Sequence, residues 1–362
     1  MIEFDFAALS FLGLTSALVD RVAACPMPMG IELRLARITL VHRESVRLHD
    51  GIVEQGARAL PRLVRSLAEE DTALAVGDWV LAAADTHGGC WVHERIPPLT
   101  HIARRDSDGR RHPVVSNVDT ALLVMGLDDD FNPRRLERYL ALVYCDAIIP
   151  VVVLTKVDVA APTVEALAVR VDLLRGRIPN HVDVIAVNAT DASAASALAP
   201  YVHCGQTLVL LGSSGAGKST LINTLVGARV QDTGPVRAND GRGKHTTTSR
   251  SLHRLPYGAC VIDTPGLRTL RPDGDEAALA GSFADVEALA GQCRFRDCRH
   301  AAEPGCAVRE VLDADRLRNY HKLVREVRRD TLTALDRQRL VAEWKARGRA
   351  AKVKLKAKRG EG

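Results

Sequence analysis

The chain lacks the signals that would direct it into or across a membrane. Its 362 residues contain no run of about 18 apolar residues, the length that a membrane-crossing helix needs. The N-terminus, Met1 to Phe6, carries acids where a signal peptide needs positive charge, so a cytoplasmic protein without a membrane partner is expected. In a long cytosolic chain the eight cysteines are not expected to form a disulfide framework. The length of the chain predicts two or three domains.

Positive charge is unevenly distributed along the chain. From Cys293 to the C-terminus, 20 lysines and arginines face 10 acidic residues, whereas the preceding part of the chain is net acidic. The tail from Lys345 to Arg359 has eight basic residues and no acid. This basic C-terminal segment predicts a polyanionic partner, and the tail is expected to be disordered until it contacts phosphates.

One stretch has the pattern of a phosphate-binding loop. It follows the apolar run 208–211 and precedes the apolar-periodic run 221–226, as a loop between a strand and a helix would. Its glycines let backbone N–H groups wrap around a phosphate, while Lys218 reaches the β- and γ-phosphates and Ser219 offers its hydroxyl to Mg²⁺. The alternative is an ordinary glycine-rich turn. The predicted nucleotide-binding residues here are Gly212, Ser213, Ser214, Gly215, Ala216, Gly217, Lys218, Ser219 and Thr220.

A second phosphate-side motif ends an apolar strand about 45 residues later. In the segment Asp263-Thr264-Pro265-Gly266, the Asp263 carboxylate would hold Mg²⁺ and the Gly266 N–H would meet the γ-phosphate. Such a tetrapeptide is weak by itself, but its position behind the phosphate-binding loop strengthens the prediction.

Two segments ahead of the loop have the pattern of a guanine site. In Thr155-Lys156-Val157-Asp158, the Asp158 carboxylate can accept both N–H groups on the guanine edge, a contact that adenine cannot supply. The Lys156 stem would lie over the base, and the Ala189 N–H, after another predicted strand, would meet the guanine carbonyl. Alone, Asp158 and Lys156 would be a helix-capping acid and a solvated lysine.

The first hundred residues have a different pattern. Residues 1–30 contain an amphipathic run that predicts a packing helix or a loosely tethered arm, and residues 31–105 alternate as short strands. The strands predict an OB-like β-barrel, which either binds single-stranded nucleic acid or presents a solvated face. From Arg104 to Arg111 a polar linker is predicted. The arginines that would serve nucleic-acid binding are Arg34, Arg37, Arg43, Arg47, Arg104 and Arg105.

Three cysteines and one histidine cluster near the C-terminus. Cys293, Cys298, His300 and Cys306 lie within 14 residues and offer three thiolates and one imidazole. A Cys₃His set fills the tetrahedron of a structural zinc ion and leaves no open position for catalysis. The cluster therefore predicts one structural zinc per chain, with reduced, unlinked thiols as the alternative.

The motif order resembles that of a known family. The guanine motifs precede the phosphate motifs, which is a circular permutation of the usual GTPase order. This order resembles that of the ribosome small-subunit-dependent GTPase A family (RsgA, also called YjeQ). Further similarities to the family are the barrel, the segments Phe131 to Tyr139 and Gly241 to Thr248, and the cysteine cluster. The resemblance implies GTP hydrolysis stimulated by the 30S subunit, a role in its late maturation, binding of its 16S rRNA, and a monomer. Thr155 stands where the base motif usually has Asn and is expected to weaken guanine affinity, while Asn188 replaces a common Ser.

Catalysis requires a water-orienting group that the usual position does not supply. Leu267 follows Gly266, where many small GTPases have Gln, and leucine cannot hydrogen-bond water. His245 is the predicted substitute, supported by its likeness to the family, or else it is a solvated loop histidine. Lys218 is the second predicted catalytic residue, and Thr247 is predicted to join Ser219 and Asp263 at Mg²⁺.

The complete reading is a multidomain GTPase with a circularly permuted α/β P-loop domain. The rivals are an ATP-using P-loop enzyme and an rRNA-binding scaffold that uses GTP as a structural ligand. The predicted divisions are an N-terminal extension (1–30), an RNA-binding OB-like β-barrel (31–105), a circularly permuted GTPase domain (113–285), a helical zinc-binding domain (286–345) and a basic disordered tail (346–362).

Overall fold

The N-terminal segment packs against the rest of the protein. The structure, a computed structural model, describes residues 4–25, 30–42, 45–105, 111–144, 146–160, 163–231, 250–264 and 276–330. Two short helices come first, α1 (Phe6–Ser10) and α2 (Ser16–Ala24). The segment buries five apolar residues in the main core: Leu9, Leu12, Leu14, Leu18 and Val22. It is therefore a packing segment and not a loosely tethered arm.

The next five strands form the predicted OB-like barrel. They are β1 (Arg34–Val41), β2 (Val46–His49), β3 (Glu54–Ala59), β4 (Trp79–Ala84) and β5 (Cys90–Arg95), with helix α3 (Pro61–Glu69) between β3 and β4. Their order is β1-β2-β3-β5-β4, and the pairing of β4 with β1 closes the barrel. The sequence did not indicate β3, because only Ala57 of that strand is buried and no apolar alternation results.

The two ends of the predicted linker belong to the strands of a β-hairpin. Strands β6 (His101–Arg105) and β7 (Arg111–Ser116) pair antiparallel, so Arg104, Arg105 and Arg111 belong to strands and only 106–110 separates them. The prediction of a linker from 104 to 111 was wrong in extent because cross-strand pairing, rather than apolar alternation, holds these polar residues.

The α/β domain has the predicted, mostly parallel sheet. Its order is β10-β9-β8-β11-β13-β12, and β12 alone runs antiparallel to its neighbour β13. The parallel strands are almost continuous apolar runs because helices cover both faces of the sheet. The elements are β8 (Thr120–Gly126), α4 (Pro133–Tyr144), β9 (Ile149–Thr155), α5 (Val157–Ala160), α6 (Val164–Arg175), β10 (Asp183–Ala186), α7 (Ser193–Leu198), β11 (Thr207–Leu211), α8 (Lys218–Val226), β12 (Ser251–Arg254) and β13 (Cys260–Asp263).

The barrel and the α/β domain are joined by a buried arginine. The Arg37 guanidinium has no exposed surface and donates to the carbonyls of Leu12, Gly77 and Asn117 and to the Thr207 hydroxyl, the last at 2.8 Å. Burial without such acceptors would cost several kcal/mol, roughly, for a charged group. The prediction that Arg37 serves nucleic-acid binding was therefore wrong, since it is a structural tie.

The C-terminal part of the described chain is helical, as predicted. A small apolar cluster joins its helices to Ala141 of α4. None of the helices in the described ranges is both long and apolar enough to cross a membrane. The helices are α9 (Glu276–Ser282), α10 (Ala284–Ala290), α11 (Ala307–Val311) and α12 (Ala314–Asp330).

Candidate nucleotide site and metal centre

The predicted phosphate-binding loop joins β11 to α8. Gly217 has a φ of +91° and immediately precedes α8, a conformation that a side chain would strain. At Gly212, a Cβ would lie 2.4 Å from the carbonyl oxygen of Val124 on β8, so only glycine fits. The loop is thus held close to the sheet at one end and turned into the helix at the other.

Lys218 and Asp263 are buried charged residues at this loop. The Lys218 ammonium donates to the carbonyls of Gly212 at 2.9 Å and Ser213 at 2.7 Å. Asp263, at the end of β13, pairs in register with Leu210 and is 3 % exposed. Burial raises the pKa of Asp263, an effect that Lys218 and His253 oppose. A buried carboxylate whose ionisation is costly is suited to binding a cation.

The first base-motif residue is tied to the phosphate loop. The Thr155 hydroxyl, buried at the end of β9, donates to the Ala216 carbonyl at 2.6 Å. Lys156 follows with a φ of +60°, and its ammonium donates to Asp128 at 2.6 Å. Val157 and Asp158 begin α5, where Asp158 is exposed. Threonine in the usual asparagine position therefore keeps a direct hydrogen bond between base motif and loop.

The second predicted base segment is held against α8. The Thr224 hydroxyl on α8 donates to the Ala189 carbonyl at 2.6 Å, and Ala189 is buried. Asn188 accepts from the Thr190 N–H and hydroxyl, which shapes the turn after β10.

All the described members of the predicted site lie at one edge of the sheet. The base segments follow β9 and β10, the phosphate loop follows β11 and contains the part-buried Ser219 and Thr220, and Asp263 ends β13. Parallel strands place their carboxyl ends together, and ligands of open α/β sheets bind there. Gly266, His245 and Thr247 lie outside the described residues.

The cysteine cluster is compact enough to hold a metal ion. The ligand atoms of Cys293, Cys298, His300 and Cys306 all lie within 4.8 Å of one another. The Cys293 and Cys306 sulfurs are 3.9 Å apart, and the His300 Nδ1 lies 3.6 Å and 3.4 Å from them. Tetrahedral zinc bond lengths require separations of about 3.8 Å between sulfurs and about 3.6 Å between sulfur and nitrogen. The donor set fits a tetrahedral ion.

The pKa values of two of the thiols are shifted in opposite directions by their surroundings. Partial burial and the neighbouring Cys306 and Cys293 sulfurs raise the pKa of the Cys298 thiol to about 11. Burial also disfavours the Cys293 thiolate, but the Val308 and Ala307 N–H groups outweigh it and lower the pKa of Cys293. Three thiolates this close repel one another unless a positive ion lies between them.

Comparison with known proteins identifies the family. The family model described as RsgA GTPase matches residues 95–272. Proteins named small ribosomal subunit biogenesis GTPase RsgA, from Xanthomonas oryzae pv. oryzae and Xanthomonas axonopodis pv. citri, are 49 % identical over 278 residues, which span 75 % of this chain and 74 % of theirs. The chain belongs to the RsgA GTPase family.

Solved structures support the same fold. The crystal structure of YjeQ from Thermotoga maritima matches with a TM-score of 0.58 at 22 % identity, covering 82 % of this chain and 98 % of that one. YloQ, described as a circularly permuted GTPase, matches with a TM-score of 0.55 at 22 % identity, covering 85 % of this chain and all of that one. The predicted permuted GTPase fold of the RsgA family is confirmed.

Sequence reasoning missed the acidic residues that contact the site of this RsgA-family protein. Asp128 contacts Lys156, and Asp130 accepts a hydrogen bond from the Ser213 hydroxyl of the phosphate loop. The signal was present: the run Asp128-Asp129-Asp130 follows β8, whose carboxyl end lies at the same sheet edge.

Proposed function

We propose that this protein hydrolyses GTP during late maturation of the small (30S) ribosomal subunit and binds the 16S rRNA of that subunit. The observation that carries the proposal is the meeting of the base and phosphate segments at one sheet edge, joined by the Thr155–Ala216 hydrogen bond. The name of the related Xanthomonas proteins, small ribosomal subunit biogenesis GTPase, supports the cellular role.

The phosphate end works by positioning and charge neutralisation. Loop N–H groups from Gly212 to Thr220 bind phosphate oxygens, and Lys218 leaves its carbonyl partners to reach the β- and γ-phosphates. Ser219, Asp263 and Thr247 would hold Mg²⁺, which supplies further neutralisation of phosphate charge, and the Gly266 N–H meets the γ-phosphate.

Water orientation is assigned to His245. Leu267 stands in the usual glutamine position and offers no hydrogen bond, so hydrolysis by the isolated protein is expected to be slow. At the base end, Asp158 selects guanine, while Lys156, Val157 and Ala189 complete the pocket.

The metal at the cysteine cluster is proposed to be one structural zinc ion. The support is the Cys₃His donor set and its separations, which match tetrahedral zinc coordination. Such an ion supplies folding energy to the C-terminal helices and takes no part in hydrolysis. The basic tail would add contacts to rRNA phosphates, and a cytoplasmic monomer is proposed.

Phosphate release in the presence and absence of purified 30S subunits tests this function. We expect slow multiple-turnover GTP hydrolysis, acceleration by 30S subunits, and loss of both rates in Lys218→Ala. GTP binding without turnover, even with subunits present, would favour the scaffold. Displacement of labelled GDP by ATP as readily as by GTP would favour the ATP-using enzyme.

A further inference from the structure

The loop after β8 contacts both halves of the nucleotide site. Asp128 holds the Lys156 ammonium at 2.6 Å on the base side, and Asp130 accepts from the Ser213 hydroxyl on the phosphate side. The Asp130 carboxylate also accepts from the Gly126 N–H at 3.2 Å, which fixes it to the end of β8. The loop after β8 therefore connects the base motif to the phosphate loop through side-chain hydrogen bonds.

A carboxylate beside a phosphate loop needs its own counter-charge. Asp130 is largely buried, with 14 % of its side chain exposed, and Arg135 forms an ion pair with it at 2.5 Å. Arg135 donates to the Asp130 backbone carbonyl as well, so it fixes both the position and the charge of this residue. An unpaired carboxylate here would repel bound phosphates.

Arg135 also belongs to the first turn of α4. The Asn132 side chain caps this helix by accepting from the Arg135 N–H at 3.1 Å. Any displacement of Asp130 with the phosphate loop is thereby transmitted to the start of α4 through a side-chain ion pair and a helix cap.

The other side of α4 carries the C-terminal domain. Arg134, Glu137 and Arg138 share one helix face because they are spaced at i, i+3 and i+4. They contact α12 through Asp315, Arg316 and Glu326 respectively, with the Glu137–Arg316 pair at 3.0 Å and fully enclosed. The helix thus has one face on the C-terminal domain, while Arg135 is joined to the phosphate loop through Asp130, which accepts from Ser213.

We propose that Asp130 and Arg135 are positioning residues for nucleotide binding, and that α4 transmits the state of the phosphate loop to the C-terminal domain. The inference deepens the proposed GTPase function and rests on it. It also accounts for the Phe131 to Tyr139 motif, in which Arg135 pairs with Asp130 while the other charged residues contact α12.

The first test is nucleotide affinity, measured by titration with fluorescent GDP. Asp130→Ala removes the acceptor of the Ser213 hydroxyl and is expected to raise the Kd for GDP by about tenfold, the effect of one buried hydrogen bond to a charged group. Asp129→Ala is the matched control, since it removes an exposed carboxylate one residue away. Equal affinities for the two variants would overturn the role of Asp130 and leave the GTPase function standing.

A double-mutant cycle of charge-neutralising variants separates positioning from folding. Arg135→Gln leaves the Asp130 carboxylate unpaired and is expected to weaken GDP binding more than Asp130→Asn does. The double variant Asp130→Asn/Arg135→Gln is expected to return to within about threefold of Asp130→Asn, because the two effects are coupled. A double variant as weak as Arg135→Gln would overturn the ion-pair argument.

The transmission along α4 is tested by hydrogen exchange at saturating nucleotide. Exchange of the α12 amides is expected to differ between the GDP and GTP-analogue states of the wild-type protein, and the difference is expected to vanish in Asp130→Ala although the site is filled. The same difference in both proteins, or none in the wild type, would overturn transmission through α4. Failure of the wild type to bind GTP would instead overturn the proposed function.

Discussion

The α/β domain and the C-terminal domain are stabilised by different means. The sheet of the α/β domain lies between extensive apolar clusters, whereas the described C-terminal helices share a cluster of eight buried residues, one of which belongs to α4 and another of which is the ligand Cys306. A core of that size cannot fold a domain without further stabilisation. We propose that the C-terminal domain depends instead on the cysteine cluster that could hold a metal ion and on ion pairs to α4.

In the α/β domain, the residues that bind nucleotide differ from those that stabilise the fold. The nucleotide site uses the ends of strands whose packing is complete without it, so its polar residues can be changed without unfolding the sheet. In the C-terminal domain the polar residues and the proposed metal ligands would themselves be the stabilising contacts.

The largest effect is expected from removing one proposed metal ligand, which should unfold the C-terminal domain and leave nucleotide binding in place. Cys298→Ala is expected to abolish metal binding and unfold residues 286–330, since binding free energies of about 10–16 kcal/mol for structural zinc are also folding free energies. The Kd for GDP should change by less than about tenfold. Metal analysis by mass spectrometry, limited proteolysis and GDP titration measure the three effects. Cys204→Ala, at an exposed cysteine, is the control, and a metal-bound, protease-resistant Cys298→Ala protein would contradict the assignment.

The next effect concerns the ion pairs that seat the domain. Glu137 is fully buried and contacts Arg316 at 3.0 Å and Arg177 at 2.7 Å. Glu137→Ala removes one of the two carboxylates that each arginine contacts, while Arg316 keeps Asp285 and Arg177 keeps Asp315. The loss of these buried charged hydrogen bonds is expected to cost about 1–3 kcal/mol of unfolding free energy. Chemical denaturation measures it, with the exposed Glu310→Ala as the control. An unfolding free energy equal to that of the control variant would show that the ion pairs do not seat the domain.

A smaller effect should appear in binding alone. Asp158→Asn removes one charged acceptor at the base and is expected to raise the Kd for GDP by about 10- to 100-fold. The melting temperature should not change because Asp158 is exposed. Calorimetric titration and thermal unfolding separate the two, and Asp172→Asn, at an exposed position of α6, is the matched control. Unchanged GDP affinity would remove Asp158 from the base site.

The smallest effect is an increase in stability, whereas the substitutions at Cys298 and Glu137 are expected to decrease it. Burial raises the pKa of Asp263, so its contribution to stability is present below the ordinary carboxyl pKa and is lost as pH rises through the raised value. Asp263→Asn should therefore raise the melting temperature of nucleotide-free protein at pH 7 and weaken Mg²⁺-dependent GTP binding. Thermal unfolding at pH 5 and pH 7 should show a smaller pH dependence in the variant. A lower melting temperature at pH 7 would contradict this sign.

Strands and helices with strong apolar patterns were predictable from the sequence. The apolar runs 208–211 and 221–226, predicted as a strand and a helix on either side of the phosphate loop, lie within β11 and α8. The missed elements, β3 and the β6–β7 hairpin, bury few side chains or pair polar residues, so their pattern carries no alternation.

In the candidate site, the sequence predicted which motifs lie side by side, but it did not predict the hydrogen bonds that join them. A glycine loop after one strand and an aspartate after another must share an edge, which placed Lys218 near Asp263. The hydrogen bonds of Thr155 to Ala216 and of Ser213 to Asp130 join residues 61 and 83 positions apart. Local pattern cannot specify such contacts, and for the same reason buried Arg37 could not be distinguished from a surface arginine.

The Arg37 contacts impose an order of events during synthesis of the chain. Arg37 and its acceptor Thr207 are separated by 170 residues. At about 5–20 residues per second, Thr207 leaves the synthesising ribosome about 10–30 s after Arg37. The guanidinium is permanently charged and cannot be enclosed before its acceptors are present. The barrel is made first, but the enclosure of Arg37 is therefore complete only when the strand that leads into the phosphate loop arrives.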